Sequence, residues 1–237
     1  MSVYSTSSAR THRLRYHLLP FAIFLGLTTV DSMHPGNAVW MYPIKTLVVG
    51  TLLCAFRHTY TEIHPQFSIV SVLVGGSVFG IWIAPEILGL NYPLLGQPSQ
   101  FNPYANIPSR TWLAWWIGFR LLGGAVVVPI MEELFWRSFL IRYLINPKFK
   151  QVSIGTFSWF SFIATVLLFG FEHHRWLVGI IAGIAYTLLL YRTKSVFACI
   201  LAHAVTNLSL GIYVLRAHKS CAEGVAAFMR AGESARF

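Results

Sequence analysis

Apolar residues run through this chain in long, nearly unbroken stretches, separated by short polar breaks. The stretches cover roughly Leu18–Val30, Val39–Phe56, Phe67–Ala84, Trp112–Pro129, Ile130–Ile145, Ser153–Phe171, Trp176–Tyr191 and Val196–Leu215. Several fall short of the ~20 residues that a helical membrane crossing needs, which leaves their ends open by a few residues. The pattern predicts an all-α protein, a polytopic transmembrane helical bundle of seven to eight spans. The count turns on whether Ile130–Ile145 crosses by itself.

One connection breaks the rhythm. Between Pro85 and Arg110 lie Pro85, Pro93, Pro98, Pro103 and Pro108, with Asn, Gln and Tyr among them. Such a stretch cannot be a helix. It marks off an N-terminal three-span part with its Pro-rich connection (1–111) from a C-terminal helical core (112–215). A tail follows (216–237). The N-terminal part offers few buried ionisable candidates, and the core holds nearly all of them. The tail is weakly patterned and is expected at the surface without chemistry. At the other end, Met1–His17 is polar and carries Arg10, Arg13 and Arg15. That resembles the charged start of a signal peptide, but no small-residue cleavage site follows, so an uncleaved first span with a cytoplasmic N-terminus is expected.

Composition sharpens this picture. Of 237 residues, 55% are hydrophobic and only 11% charged, with mean hydropathy +0.59. A soluble domain carries about 25% charged residues, and a soluble surface cannot be built from so few. A soluble globular domain, a disordered chain and a coiled coil are therefore excluded. Net charge is +10, from 18 Lys and Arg against 8 Asp and Glu. The basic residues sit between apolar runs, as the positive-inside rule places them, and form neither block nor stripe. No nucleic-acid partner is expected. The expected partners are the lipid bilayer and a membrane-embedded or membrane-anchored peptide or protein. The cysteines Cys54, Cys199 and Cys221 are too few and too scattered for a disulfide framework or a cysteine metal site.

Candidate chemistry sits in three successive apolar segments. The first is VVVPIMEELFWRSFL, where Glu132 and Glu133 are adjacent. An ionisable group beside lipid is expensive and is a functional candidate by default. Glu133 and Arg137 are four apart and stack on one helical face in the favourable order. Glu132 is turned about 100° away and meets Phe135 and Trp136 instead. A carboxylate against aromatics, with a like charge next door, is raised towards the range of a general base. The competing reading makes both glutamates structural, paired with Arg137 and Arg120. The second segment is LLFGFEHHRW. His173 shares a face with Phe169, one turn earlier, whereas Glu172 and His174 point elsewhere, towards an interface. A lone histidine there is otherwise a satisfied core residue. The third is CILAHAVTNLSLG, with His203 and Asn207 four apart on one face. Two donors converging from one helix suit an oxyanion, and equally suit a hydrogen-bonded pair that joins helices.

In this order, Glu-Glu-x-x-x-Arg (Glu132, Glu133, Arg137), Phe-x-x-x-His (Phe169, His173) and His-x-x-x-Asn (His203, Asn207) resemble the CPBP family of intramembrane proteases. That family includes CAAX prenyl endopeptidases of the Rce1 type and the bacterial Abi and bacteriocin-processing relatives. The resemblance covers roughly residues 112–215. The strings FGFEHxRW and HAVTNLxLGxYV further resemble a bacterial subgroup called CAAX prenyl protease-related, linked to exosortase systems. The resemblance implies peptide-bond hydrolysis within the membrane by a bundle of about eight spans with a polar cavity. It implies that Glu132 and His173 activate a water, that His203 and Asn207 hold the oxyanion, and that Glu133, Arg137 and Phe169 support them. It also implies an integral, multi-pass protein of a bacterial inner membrane.

A shared site puts Glu132 and His173 on one side of the membrane. That favours eight spans, with Ile130–Ile145 crossing and both termini cytoplasmic. Lys148, Lys150, Arg192 and Lys194 then face outward, against the positive-inside rule. Glu132, His173 and His203 could hold Zn²⁺ with an open position. Because His-Glu-x-x-His is missing and Asn207 suits an oxyanion better, no metal is expected. Two other classes remain in play: a non-catalytic immunity factor or scaffold that keeps the fold, and a proton-coupled transporter using Glu132 and Glu133. The transporter reading lacks an internal repeat to support it.

Overall fold

A computed structural model describes residues 3–34, 37–96 and 101–234, with side chains between residues 14 and 218. Among the described residues there are helices and no strands. Seven helices form the body: α1 (Val3–Met33), α2 (Ala38–Phe56), α3 (Ile69–Ile87), α4 (Arg110–Tyr143), α5 (Trp159–Phe171), α6 (Trp176–Thr193) and α7 (Val196–Ser234). Five of them, α2, α3, α4, α6 and α7, are long and apolar enough to cross a bilayer; α5 is apolar but shorter. The expected all-α membrane bundle is therefore present, with five such spans among the described residues rather than a demonstrated seven or eight. The backbone of α7 continues as helix to Ser234, through most of the expected tail.

Two features depart from the hydropathy reading. Trp112–Pro129 and Ile130–Ile145 are not separate spans. They lie in one helix of 34 residues, about 51 Å long at 1.5 Å per residue. Nothing between them is a turn, and Pro129 is absorbed within the helix next to a π-helical stretch, Gly123–Val127. A second such stretch spans Leu134–Leu140. Glu132 thus sits inside a continuous helix, and the argument that a shared site needs an eighth crossing falls away. The Pro-rich connection, by contrast, begins later than expected. Pro85 lies in the last turn of α3, and among the described residues of the connection beyond it only Pro103–Asn106 is helical.

The packing is that of a lipid-immersed bundle. α7 lies against α3, α4 and α6, while α5 packs on α6 and α2 on α1 and α4. Gly75 lets α3 approach α7: a Cβ there would overlap the Ala202 carbonyl and lie 2.9 Å from the Val205 Cβ. Small residues at such crossings let backbones approach where no hydrophobic force drives helices together. Outward faces are apolar, with Leu73, Trp115, Trp159 and Phe160 at 63%, 64%, 69% and 67% exposure. So large an apolar exterior belongs to a surface that meets lipid.

The N-terminal part also buries more charge than its composition foretold. Lys45 and Asp31 pair at 2.8 Å between α2 and α1. Glu62, in the connection between α2 and α3, gathers four groups. Its Oε1 lies 2.7 Å from His17 Nε2 and accepts the Ser138 hydroxyl; Oε2 accepts Lys150 Nζ at 2.8 Å; and Arg142 stands 3.6 Å away. This fastens α1 to the far end of α4. Burial alone would raise the Glu62 carboxyl, but the His17, Lys150 and Ser138 contacts outweigh it and hold the group well below the usual carboxylate range. Such a group stabilises the fold above its unfolded pKa and loses that contribution as pH falls. Glu62→Gln should destabilise the protein by about 3 kcal/mol, since it strands buried cations. Thermal unfolding in lipid nanodiscs should show native stability falling below about pH 4, with the variant insensitive over that range.

Candidate active site

The site is built outward from Glu133, which is 0% exposed. Its Oε1 accepts Arg137 Nη1 at 3.1 Å and lies 2.8 Å from His203 Nδ1. An oxygen that already takes an arginine N–H is an acceptor, so His203 Nδ1 carries the hydrogen and Nε2 is left to the interior. That Nε2 stands 4.0 Å from Glu132 Oε2. Tyr186 stacks on the His203 ring at 5.1 Å, and its hydroxyl donates to Thr206 Oγ1 at 2.8 Å. Thr206 in turn donates to the Gly75 carbonyl at 2.8 Å, so α3, α6 and α7 together set the plane of the imidazole. The Arg137 guanidinium lies over the Phe169 ring at 4.2 Å, a cation–π contact that helps hold a buried charge.

Glu132 is buried as well, and its Oε2 has no hydrogen-bond partner. Arg120, its other potential partner, lies over the Tyr42 ring instead. His173 follows α5 in a tight turn, with Nδ1 2.7 Å from the Phe169 carbonyl. A carbonyl only accepts, so Nδ1 bears the hydrogen and Nε2 presents a lone pair. Trp82 from α3 meets that ring edge-on at 5.4 Å. Asn207 donates one amide N–H to the Gly124 carbonyl at 2.9 Å, which leaves it a second.

Glu132, His173, His203 and Asn207 line one cavity, floored by Phe169 and walled by Trp82 and Val128. Three apolar segments that are far apart in sequence thus bring their polar residues to a single place. Glu133 and Arg137 lie behind this cavity. Trp82, Tyr186 and Thr206 line it too; they sit in apolar runs where no spacing singles them out. Glu172 departs from expectation. It was assigned to an interface by helical spacing, yet it faces the Trp136 indole, and burial pushes its carboxyl up to about 7. The reason is that α5 ends at Phe171, so a helical wheel no longer orients the next residue. His174 does turn away and bonds the Leu95 carbonyl.

Among the described residues, no group of three His, Cys, Asp or Glu side chains is placed to hold a metal ion. Glu132, His173 and His203 therefore do not fit a zinc ligand set in this arrangement.

Residues 113–209 match the family described as type II CAAX prenyl endopeptidase Rce1-like. This segment, about two fifths of the chain, is similar to the Rce1-like family. It runs from the first turn of α4 into α7 and contains Glu132, His173, His203 and Asn207 of the cavity. No curated protein and no solved structure matches the chain. The apolar helices make this an integral membrane protein, and residues 113–209 are similar to a protease family.

Placement of His173 depends on a glycine of α6. A Cβ on Gly179 of α6 would lie 3.0 Å from the Gly170 carbonyl and 3.2 Å from the His173 Cβ. Gly80 of α3 has nothing within 4 Å of such a Cβ. Gly179→Ala should destabilise the protein by about 1–3 kcal/mol through overpacking. Gly80→Ala should be neutral or stabilising by up to ~1 kcal/mol, as helix propensity dictates. Thermal unfolding of the two variants side by side checks the contrast.

Proposed function

We propose that the protein is an intramembrane endopeptidase that hydrolyses a peptide bond of a membrane-associated protein or peptide. The observation that carries this reading is the convergence of Glu132, His173, His203 and Asn207 on one cavity within an Rce1-like segment. Two free acceptors, Glu132 Oε2 and His173 Nε2, face a space where a water can sit. One of them takes a proton from the water as its oxygen bonds to the scissile carbonyl carbon. The carbonyl oxygen becomes an oxyanion. It is met by the second Asn207 N–H and by His203 Nε2, which must carry a hydrogen for this role. Glu133, on the other side of the same ring, accepts the Nδ1–H and so holds the imidazole in place. The C–N bond then breaks, and the proton taken from water passes to the leaving amine. Water enters at one carbonyl and leaves as carboxyl and amine, so atoms balance.

The family description names CAAX prenyl endopeptidases. For this chain the substrate class is drawn more widely, as a peptide held at or in the membrane. Counting α1 and α5 with the five apolar helices gives a seven-span protein. Following the subgroup resemblance, its membrane is a bacterial plasma membrane.

The test compares membranes from cells carrying the native protein with membranes carrying Glu132→Gln at equal expression. New peptide termini are mapped by mass spectrometry. A terminus present with the native protein should fall at least ~100-fold in the variant, as expected for loss of a general base. An identical set of termini in both membranes would contradict the enzyme reading.

A further inference from the structure

A proline inside a helix removes one backbone donor, and α4 contains one next to the site. In the π-helical stretch Gly123–Val127, the hydrogen bonds span five residues: Val128 N–H donates to the Gly123 carbonyl. At that spacing the donor for the next carbonyl, Gly124, is residue 129. Residue 129 is Pro129, which has no N–H. The Gly124 carbonyl is thus left without a backbone partner in a helix surrounded by protein and lipid, where an unpaired carbonyl is costly. The partner it takes comes from another helix: Asn207 Nδ2, at 2.9 Å, across from α7.

This contact does more than satisfy a carbonyl. A carbonyl oxygen only accepts, so it takes the N–H end of the Asn207 amide and dictates which end faces α4. With Nδ2 fixed there, the second N–H of the same nitrogen is the one available to the cavity that Asn207 lines beside Val128. We propose that Pro129 is a positioning residue: by withholding a backbone N–H it reserves the Gly124 carbonyl for Asn207, and so aims the amide at the reacting carbonyl. The glycines allow the arrangement. A Cβ at position 123 would overlap Thr46 Oγ1, and one at 124 would lie 3.5 Å from the Tyr42 hydroxyl. α2 therefore closes on the widened turn and leaves α7 as the side from which a donor arrives.

The inference rests on the proposed peptidase reading for its catalytic meaning, but its core is testable without a substrate. Native protein, Asn207→Ala, Pro129→Ala and the double variant are compared by thermal unfolding in lipid nanodiscs. Asn207→Ala should lower the melting temperature of the native protein, because it strands the Gly124 carbonyl. In the Pro129→Ala background the same change should leave the melting temperature unmoved, because the new N–H at position 129 can take that carbonyl. Equal falls in both backgrounds would overturn the proposal. Pro129→Leu, which also restores an N–H, stands in if Pro129→Ala does not fold. Failure of both to fold would likewise overturn it, since position 129 would then matter for more than its missing donor.

With the substrate whose terminus depends on Glu132, Pro129→Ala should lower kcat roughly 10- to 100-fold at unchanged KM, as for a misaimed oxyanion donor. It should add nothing to the loss caused by Asn207→Ala. A loss that adds to that of Asn207→Ala contradicts the positioning role. Thermal coupling without any Glu132-dependent cleavage upholds the link between Pro129 and Asn207 and refutes the peptidase reading.

Discussion

A single carboxylate oxygen, Glu133 Oε1, holds together the chemistry of this protein. It takes the Arg137 N–H from its own helix and meets His203 Nδ1 from α7. An unpaired charge cannot persist so far from water, so the arginine and the carboxylate are buried as a pair. Aromatic faces enclose it: Phe169 and Tyr186 lie beneath the Arg137 guanidinium, and Tyr186 also stacks on His203. Because Glu133 is engaged by two cationic or hydrogen-bearing groups, Glu132 beside it is the carboxylate left over. Adjacent residues with the same side chain thus stand in different situations: Glu133 is held through Oε1 by two groups, with Oε2 unpartnered, whereas Glu132 has an unpartnered Oε2 that faces the cavity residues.

The second constraint is the membrane. Every backbone group inside it needs a partner within the protein. At two places near the site where the chain departs from a regular helix, a specific side chain answers. Asn207 answers the π-helical stretch before Pro129. The Phe169 carbonyl, near the end of α5, is taken by His173. Both departures lie where α5 or α4 faces α7 and α6, and both deliver a cavity-lining residue. Irregular backbone and candidate chemistry coincide because each needs polar groups pointed inward rather than at lipid.

The helical, membrane-embedded character was legible in composition and apolar runs, because lipid imposes length and polarity directly on sequence. The four-residue spacings of Glu133 with Arg137, Phe169 with His173 and His203 with Asn207 were legible for the same local reason. What was not legible depends on distance or on helix ends. Glu62 drew no attention because its partners His17, Ser138 and Lys150 lie 45, 76 and 88 residues away. Glu172 was misdirected because the helical wheel was carried one residue beyond α5. Whether Ile130–Ile145 crosses by itself is open in the sequence because Pro129 reads as a breaker, whereas the adjoining π-helical stretch accommodates it in one helix.

Hydrolysis at the Glu132 cavity is tested most directly by isotope. Purified protein in lipid nanodiscs is incubated with membrane peptides in water enriched in ¹⁸O, and the products are weighed. The account predicts a new carboxyl terminus carrying one ¹⁸O after a single turnover, formed by the native protein and not by a Glu132→Gln preparation of equal fold stability. Absence of labelled product from the native protein, or equal labelling by both, would contradict it.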